Sequence, residues 1–495
     1  MRITTNTAKL STIKKGLIVC GVTEKKDLKT GKFFSELNDL SGGELLSLSK
    51  EDSFTGKAKS KLVWRSKSVK GVSQYFVCFG LGKEKDINLE SVREFAGLCM
   101  REAETLKQES VMISLEGFEG LNVHDVGQAV AEGIELTAYS YTRYKKSKRH
   151  VVKSVVIAVA TSSDKDTKNG VKLGQFNAGG VNLARELVDT PGGHMHPSEL
   201  VSAAKRIAAT SPRISIKVYN KTELKKLGAG GLLGVSQGSK HDPALVHLVY
   251  KPQKKAKKKI AVVGKAVTFD SGGLSLKPAD AMMNMKIDMA GSAAVIGVFA
   301  RLAKIGVDYE VHGIFGACEN SVSADAIRPG DVITVMNGKT IEVLNTDAEG
   351  RLTLADTLTF ATRQKPDMII DMATLTGACL VALGEEISGV MANKKEVATE
   401  ILEAAKEAGE NMWELPLEAR YVNQIKSDIA DYKNIGGRYG GTLTAGLFLE
   451  PFVNKIPWAH IDIAGPCYAE KPLASYIGKG ATGHGVRTIL RLLSK

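Results

Sequence analysis

The sequence predicts an α/β protein of two domains, each a mostly parallel sheet flanked by helices. Three observations predict it. Short β-branched runs alternate with segments of helical period. The 495 residues exceed what a single core usually serves, at roughly 150 residues per domain. Fifty glycines and thirteen prolines punctuate the alternation, as tight connections between strands and helices require.

The elements follow in order. Gly16 to Val22 is short, apolar and β-branched, and reads as a first strand. Lys61–Arg65 and Gln74–Leu81 read as strands. Ile87–Leu106 reads as a helix, because Leu89, Val92, Phe95, Ala96 and Cys99 recur on one face. Val111–Leu115 is the next strand, His124–Leu136 the next helix, and Val151–Ala160 a buried strand. The polar stretch Thr161–Asn169 marks a boundary. It sets an N-terminal α/β domain at 1–165 and a linker helix at 166–189. The helical pattern of that linker is clearest over Gly174–Leu187, and Asp189-Thr190-Pro191-Gly192-Gly193 stops it.

The second domain occupies 190–495. Ser215–Tyr219, Ala244–Tyr250, Ile260–Gly264 and Val311–Ala317 read as strands, and Gly291–Ile305 as a helix. Thr340–Leu344 reads as a strand leading into a helix over Leu352–Thr362. The glycine-rich run 228–234 lacks the lysine-serine pair of a phosphate-binding loop and reads as a flexible turn.

Composition narrows the function classes. With 43% hydrophobic and 24% charged residues, the chain is neither disordered nor fibrous. No uninterrupted apolar stretch of about 18 residues occurs, so no transmembrane helix and no membrane partner are expected. Lys and Arg number 67 against 54 acidic residues, a net charge of +13. Residues 143–149 and 254–259 carry five positive charges each and hold most of that surplus. They read either as two solvated loops or as a patch for DNA or another polyanion. Tyr144 is the only aromatic residue within them, which argues against a base-stacking surface for single strands. Six scattered cysteines without a CxxC pair, and an N-terminus without a secretory apolar core, predict a reduced cytoplasmic protein.

Two segments carry charges where a buried strand end is expected. Lys265 and Asp270 interrupt an apolar run that continues through a glycine turn to Lys277 and Asp288. Asp347, Glu349 and Arg351 stand between the strand ending near Leu344 and the next helix. Lysine and carboxylates are almost never fully buried unless paired or bound to metal. Open α/β sheets place ligands outside the carboxyl ends of their strands. Simpler readings exist for each residue: Thr346 and Glu349 fit a capping box, Asp288 a helix start, and Asp270-Ser271-Gly272-Gly273 an ordinary turn. Together, four carboxylates at glycine-rich strand ends suit two divalent cations better than one. No HExxH pair is present, and His312, His460 and His484 read as structural.

At this point the chain resembles a known family. Asn345–Leu352 (NTDAEGRL) is similar to the signature octapeptide of the leucyl aminopeptidases, cytosolic di-metal exopeptidases that form hexamers. The spacing Lys265–Asp270–Lys277–Asp288–Asp347–Glu349–Arg351 resembles that family as well. So do Glu319-Asn320, Arg328–Asp331, Thr374–Ala378, Asn434–Thr442 (NIGGRYGGT) and Trp458–Gly465 (WAHIDIAG). The likeness is strong from about residue 170 onward and mostly architectural before it. Ala266 stands where the family pattern has glycine, and Thr190–His194 departs from an asparagine-containing segment.

The resemblance implies roles. Lys265, Asp270, Asp288 and Glu349 would hold a tightly bound metal, and Asp270, Asp347 and Glu349 an exchangeable one, with the Asp347 carbonyl contributing. The ions would be Mn²⁺ or Zn²⁺. A lysine ligates only as a neutral amine, so Lys265 would have to titrate far below its usual range. Lys277 would stay cationic and act as electrophile, and Arg351 would hold a bicarbonate as general base. Met285, Asn345, Thr374, Leu375 and Gly377 would line the substrate pocket. The implied activity is release of N-terminal residues from peptides, leucine preferred, by a homohexamer. A di-metal phosphoesterase would use similar carboxylates, but a lysine ligand and the octapeptide spacing argue against it.

Overall fold

The computed structural model describes residues 1–7, 16–24, 28, 31–66, 74–146 and 150–494. Lys148 and Arg149, part of the first basic run, lie outside them. The chain divides into two compact units, Met1–Ala178 with Pro472–Gly478, and Gly179–Lys471 with Lys479–Lys495.

The first unit is built on six strands: β1 (Arg2–Asn6), β2 (Leu17–Thr23), β3 (Lys61–Arg65), β4 (Tyr75–Gly82), β5 (Ser110–Ser114) and β6 (Ser154–Ala158). Their order is β1-β6-β5-β2-β4-β3, and every pairing is parallel except that of β3 with β4. Strand alternation separates two cores. Leu17, Val19, Val111 and Ile113 pack with Val92, Phe95, Ala96 and Cys99 of the helix Leu89–Thr105. Ile18, Cys20 and Met112 pack with Phe34, Leu37 and Leu45 from the helices Lys32–Leu40 and Glu44–Glu51. Asn88 starts the helix Leu89–Thr105 by accepting the backbone N–H of Glu90 and Ser91 at 2.9 and 3.1 Å. The strand expected over Val151–Ala160 is shorter, because Val151 is exposed.

Residues 161–169 are not a loop. A 3₁₀ turn at Thr161–Ser163 runs into a single helix, Asp164–Asp189, which starts two residues ahead of the expected 166. Asp164 and Asp166 in its first turn favour that start through the helix dipole, and Asp164 pairs with Lys168 at 2.6 Å.

The second unit holds β7 (Ile214–Tyr219), β8 (Ala244–Tyr250), β9 (Lys259–Asp270), β10 (Glu310–Asn320), β11 (Val332–Thr334), β12 (Thr340–Glu342), β13 (Met368–Ala373), β14 (Ser388–Ala392), β15 (Met412–Glu414), β16 (Tyr432–Lys433) and β17 (Trp458–Asp462). Its main sheet has the order β15-β14-β17-β13-β9-β10-β8-β7. The four central strands β17, β13, β9 and β10 are mutually parallel, so their carboxyl ends lie along one edge. They are buried on both faces, as helix-covered parallel strands are, and mostly apolar. The helices Ala290–Ile305 and Glu349–Arg363 are also buried along most of their length. β12 belongs to a separate small sheet with β11 and β16.

The run 228–234 is not a flexible turn. Gly228, at φ 72°, ends the helix Lys221–Leu227, and a second helix spans Gly230–Ser236. A β-carbon on Gly231 would stand 2.1 Å from the Leu352 carbonyl oxygen, so glycine here permits close helix packing. Among the described residues, no helix is long and apolar enough to cross a membrane.

Candidate active site

Four parallel strands end where the chemistry gathers. β9 ends in Asp270, β10 in Asn320 and β17 in Asp462, and β13 is followed at once by Thr374. β9 runs six residues past the expected Gly264, so Lys265 and Asp270 are both strand residues. The extension is held by pairing with β10, which shifts register between Cys318 and Asn320 and aligns Asp270 with Asn320.

Asp270 is fixed from both sides. Its Oδ1 accepts the Gly272 N–H at 2.9 Å and Asn320 Nδ2 at 2.8 Å, and its Oδ2 meets Lys277 Nζ at 2.8 Å. Lys277 also lies 2.5 Å from Asp347 Oδ1. Lys265 Nζ lies 2.7 Å from Asp288 Oδ1 and 2.8 Å from Glu349 Oε1, and donates to the Thr374 carbonyl at 3.0 Å. Thr374 Oγ1 donates to Asp288 Oδ1 at 2.8 Å. All five proposed ligands and Lys277 therefore belong to one cluster. Thr346 does not cap the helix that Glu349 opens. It donates instead to the Gly272 carbonyl at 2.6 Å and accepts the Ser275 N–H at 2.8 Å, clamping the two charged segments together.

The electrostatics are those of a desolvated charge cluster. Burial raises the Asp270, Asp288 and Asp347 carboxyls above the usual range, against the pull of the neighbouring lysines. Burial pulls Lys265 down, but Asp288, Glu349 and Asp270 outweigh it and hold the amine above an ordinary lysine. The same balance, with Asp270 and Glu349, raises Lys277. Arg351 is pushed down to about 10 by burial and stays cationic at neutral pH.

Asp270, Asp347 and Glu349 each offer an oxygen within 4.8 Å of the others, close enough to surround a metal ion. Several buried oxygens lack a donor: Asp288 Oδ2, Asp347 Oδ1 and both Glu349 oxygens have no hydrogen-bond partner. Asp347 Oδ1 and Glu349 Oε1 stand at ion-pair distance from lysines without hydrogen-bond geometry. Buried carboxylate oxygens are rarely left so, and divalent cations would satisfy them. The donor set therefore fits a pair of such ions.

Arg351 is buried in the first turn of the same helix. Its Nη1 donates to the Asn434 carbonyl at 2.8 Å, while its Nε has no partner. Asn345 presents its Oδ1 to the Asp347 N–H at 2.8 Å. Of the expected pocket residues, Thr374 is buried, Met285, Asn345 and Leu375 are half-buried, and Gly377 is exposed with open space beside it.

Three residues support this constellation without having been assigned a role from the sequence. Asn320 holds Asp270 and also donates to the Thr346 carbonyl at 3.0 Å. Asn434 binds the backbone of Leu344 and Asn345 through its amide oxygen and the Asn345 carbonyl through its nitrogen, at 2.9, 3.3 and 2.6 Å. Asp462 accepts Thr376 Oγ1 at 2.7 Å and the Leu375 N–H at 3.2 Å. Their shared sequence signal was their position in the segments Glu319-Asn320, NIGGRYGGT and WAHIDIAG.

A buried carboxylate cluster with two lysines, at the carboxyl edge of a parallel sheet, defines a metal-dependent hydrolase site. Comparison with known proteins makes the class specific. Residues 182–490 match the catalytic domain of the cytosol aminopeptidase family, and residues 19–148 match its N-terminal domain. The chain is 42% identical to a probable cytosol aminopeptidase of Sulfurihydrogenibium over 503 aligned residues, covering 100% of this chain and 98% of that one. It is 41% identical to a protein of the same description from Persephonella marina, covering 95% of each. Among solved structures, a mutant of tomato leucine aminopeptidase superposes with a TM-score of 0.90 at 34% identity, covering 100% of this chain and 96% of that one. A bottromycin maturation enzyme in complex with Mn superposes with a TM-score of 0.85 at 32% identity, covering 97% and 99%. The chain belongs to the cytosol aminopeptidase family and is a metallo-exopeptidase.

Proposed function

We propose that this aminopeptidase releases N-terminal residues, leucine preferred, from peptides at the Asp270–Glu349 cluster. The observation that carries the reading is the convergence of Asp270, Asp347 and Glu349, with Glu349 Oε2 and Asp288 Oδ2 buried and without a hydrogen-bond donor. Asp270, Asp288 and Glu349 would hold a tightly bound divalent cation, joined by Lys265 once its amine gives up the proton that these carboxylates otherwise keep on it, and Asp270, Asp347 and Glu349 an exchangeable one. Mn²⁺ and Zn²⁺ both suit that donor set. When bound, such a pair supplies Lewis acidity and lowers the pKa of water at the site.

The chain's own groups do the rest. Lys277, kept cationic by Asp270 and Asp347, polarises the scissile carbonyl and stabilises the oxyanion that forms from it. Arg351 offers a planar fork suited to bicarbonate, and its unpartnered Nε supports that use. Met285, Asn345, Thr374, Leu375 and Gly377 form the wall that selects the side chain. We assign the protein to the cytoplasm and to a homohexamer on the strength of its family, and light scattering of the purified chain tests the assembly.

The polyanion alternative has less support. Of the cations in 254–259, Lys257 pairs with Asp308 at 3.1 Å and Lys259 lies 3.5 Å from Glu310. Lys254, Lys255 and Lys258 remain exposed. DNA affinity that falls steeply with salt, and weakens when those three are neutralised, would restore it.

Leucyl-amide hydrolysis by chelator-treated protein, titrated with Mn²⁺ or Zn²⁺, tests the main reading. Metal-dependent cleavage of the free-amine substrate, with the N-acetylated form refused, is the expected result. Cleavage of both alike, or of neither under any metal, overturns it.

A further inference from the structure

We propose that His196, His241 and Glu319 form an additional metal site that takes a single Zn²⁺ ion. The three come from separate elements. His196 directly precedes the helix Pro197–Ala208, and its backbone N–H is tied to Glu199 Oε2 at 3.1 Å. His241 sits in the loop before β8, its N–H held by Ser239 Oγ at 3.0 Å. Glu319 is the penultimate residue of β10. Each offers a ligand atom within 4.8 Å of the others.

The details favour an ion over ordinary polar packing. The imidazoles stack with centroids 3.8 Å apart and planes 19° apart, which brings them together, and one ring would turn about its side-chain torsions to aim both nitrogens at a shared ion. Glu319 Oε1 accepts Ser239 Oγ and Ser321 Oγ, both at 2.9 Å. Those two hydroxyls orient the carboxylate from behind, as supporting hydrogen bonds do at metal sites. Glu319 Oε2 is left facing His196 Nδ1 at 3.7 Å. That gap is too long for a hydrogen bond. It is close to the separation of about 3.3 Å between two ligands of a tetrahedral zinc with bonds near 2.0–2.1 Å. His196 Nδ1 is shielded from solvent and has no hydrogen-bond partner. A shared cation would satisfy the nitrogen and the carboxylate together. The His196 and Glu319 side chains are 25% and 13% exposed, so the cluster lies near the surface.

Two neutral nitrogens and one carboxylate oxygen suit Zn²⁺ and leave a fourth position for water. The site adjoins the catalytic cluster through the backbone. Glu319 precedes Asn320, whose side chain fixes Asp270 at 2.8 Å. An ion on Glu319 would pin the end of β10 that presents Asn320.

Metal content decides the matter. The purified full chain and a His196→Gln/His241→Gln variant are loaded with excess Zn²⁺, desalted and assayed for zinc per subunit. The expected result is one equivalent fewer in the variant. Glu319→Gln is expected to lose the same equivalent, and serves where the double variant fails to fold. Cobalt loading gives a second readout, because tetrahedral absorption from this site is lost in the same variants. Equal zinc content in the wild type and the folded variants overturns the proposal. An Asp347→Asn/Glu349→Gln background separates the two sites: it removes ions held by the catalytic cluster and leaves this equivalent in place.

Discussion

Lys265 lies directly against Gly350: a β-carbon on Gly350 would stand 2.5 Å from Lys265 Cε and 2.6 Å from its Nζ. The helix that carries Glu349 and Arg351 can approach the β9 lysine only because this position has no side chain. Gly350→Ala is therefore expected to displace Lys265 from Asp288 and Glu349. Activity should fall about 100-fold, since small misplacements in a site cost that much. Metal content should fall with it, while circular dichroism stays unchanged. An active, fully loaded variant would show that Lys265 need not sit there.

Lys277 bridges Asp270 and Asp347, yet its proposed work is on the substrate. Lys277→Met keeps the length and removes the charge. Turnover is expected to drop about 100- to 1,000-fold, the usual loss of an oxyanion-stabilising group. Metal content, measured in parallel, should change far less. Full turnover in this variant would end the electrophile role.

Arg351 donates one nitrogen to the Asn434 carbonyl and keeps Nε unpartnered. Arg351→Lys preserves charge and loses the fork. It should lower turnover about tenfold or more and leave metal content nearly intact. Unchanged turnover would contradict the assignment.

Met285 is half-buried on the short turn Met285–Ile287 that leads to Asp288. If it walls the side-chain pocket, Met285→Ala lowers the preference for leucyl over alanyl substrates. About tenfold is the expected change, the scale of a few methylene contacts. Comparing kcat/KM for the two amides checks it, and an unaltered ratio places Met285 outside the pocket.

His247 supplies a pH prediction away from the site. Burial, then His312 and Lys217, lower its pKa from 6.5 to about 4, and its Nε2 lies 2.8 Å from His312 Nδ1. Between those values the unfolded chain binds the proton and the folded chain does not, so stability rises with pH. The contribution is complete above pH 6.5 and is lost as pH falls toward 4. Buried Asp356, raised to about 7, works in the opposite direction, so the test compares variant with wild type. His247→Gln should flatten the fall of Tm across that acid range. An identical Tm profile would show that His247 does not titrate as its burial implies.

Much of the fold was legible. β3 and β8 have the bounds their residue patterns predict, because alternation and β-branching act locally. β9 was cut short at Gly264 because a lysine and an aspartate read as the end of a buried strand. Their charges are satisfied by partners as distant in sequence as Asp288 and Glu349, which no local window contains. The linker helix begins at Asp164, two residues before the expected 166, because its polar first turn carries no apolar periodicity to mark the exact start. The proposed ligands were found through their unusual charge among glycines and through resemblance. Asn320 and Asn434 are uncharged and had no such mark, whereas Asp462, a charge in an apolar strand, carried the same signal as Asp270 and was passed over. The importance of all three lies in the backbone and side chains they hold.

The parallel edge of the main sheet delivers Asp270, Asn320 and Asp462 from strand ends, whereas Leu274, Leu276 and Met283 stand exposed on the segment between. Lys277 belongs to that same segment, so one loop presents a half-buried cation inward and apolar side chains outward. Ser275 and Lys277 in that stretch are tied to Thr346, Asp270 and Asp347, so only the outward apolar tips are clear of those contacts. Evolution can vary those tips at little cost, but the loop that bears them is moored to the charges it covers.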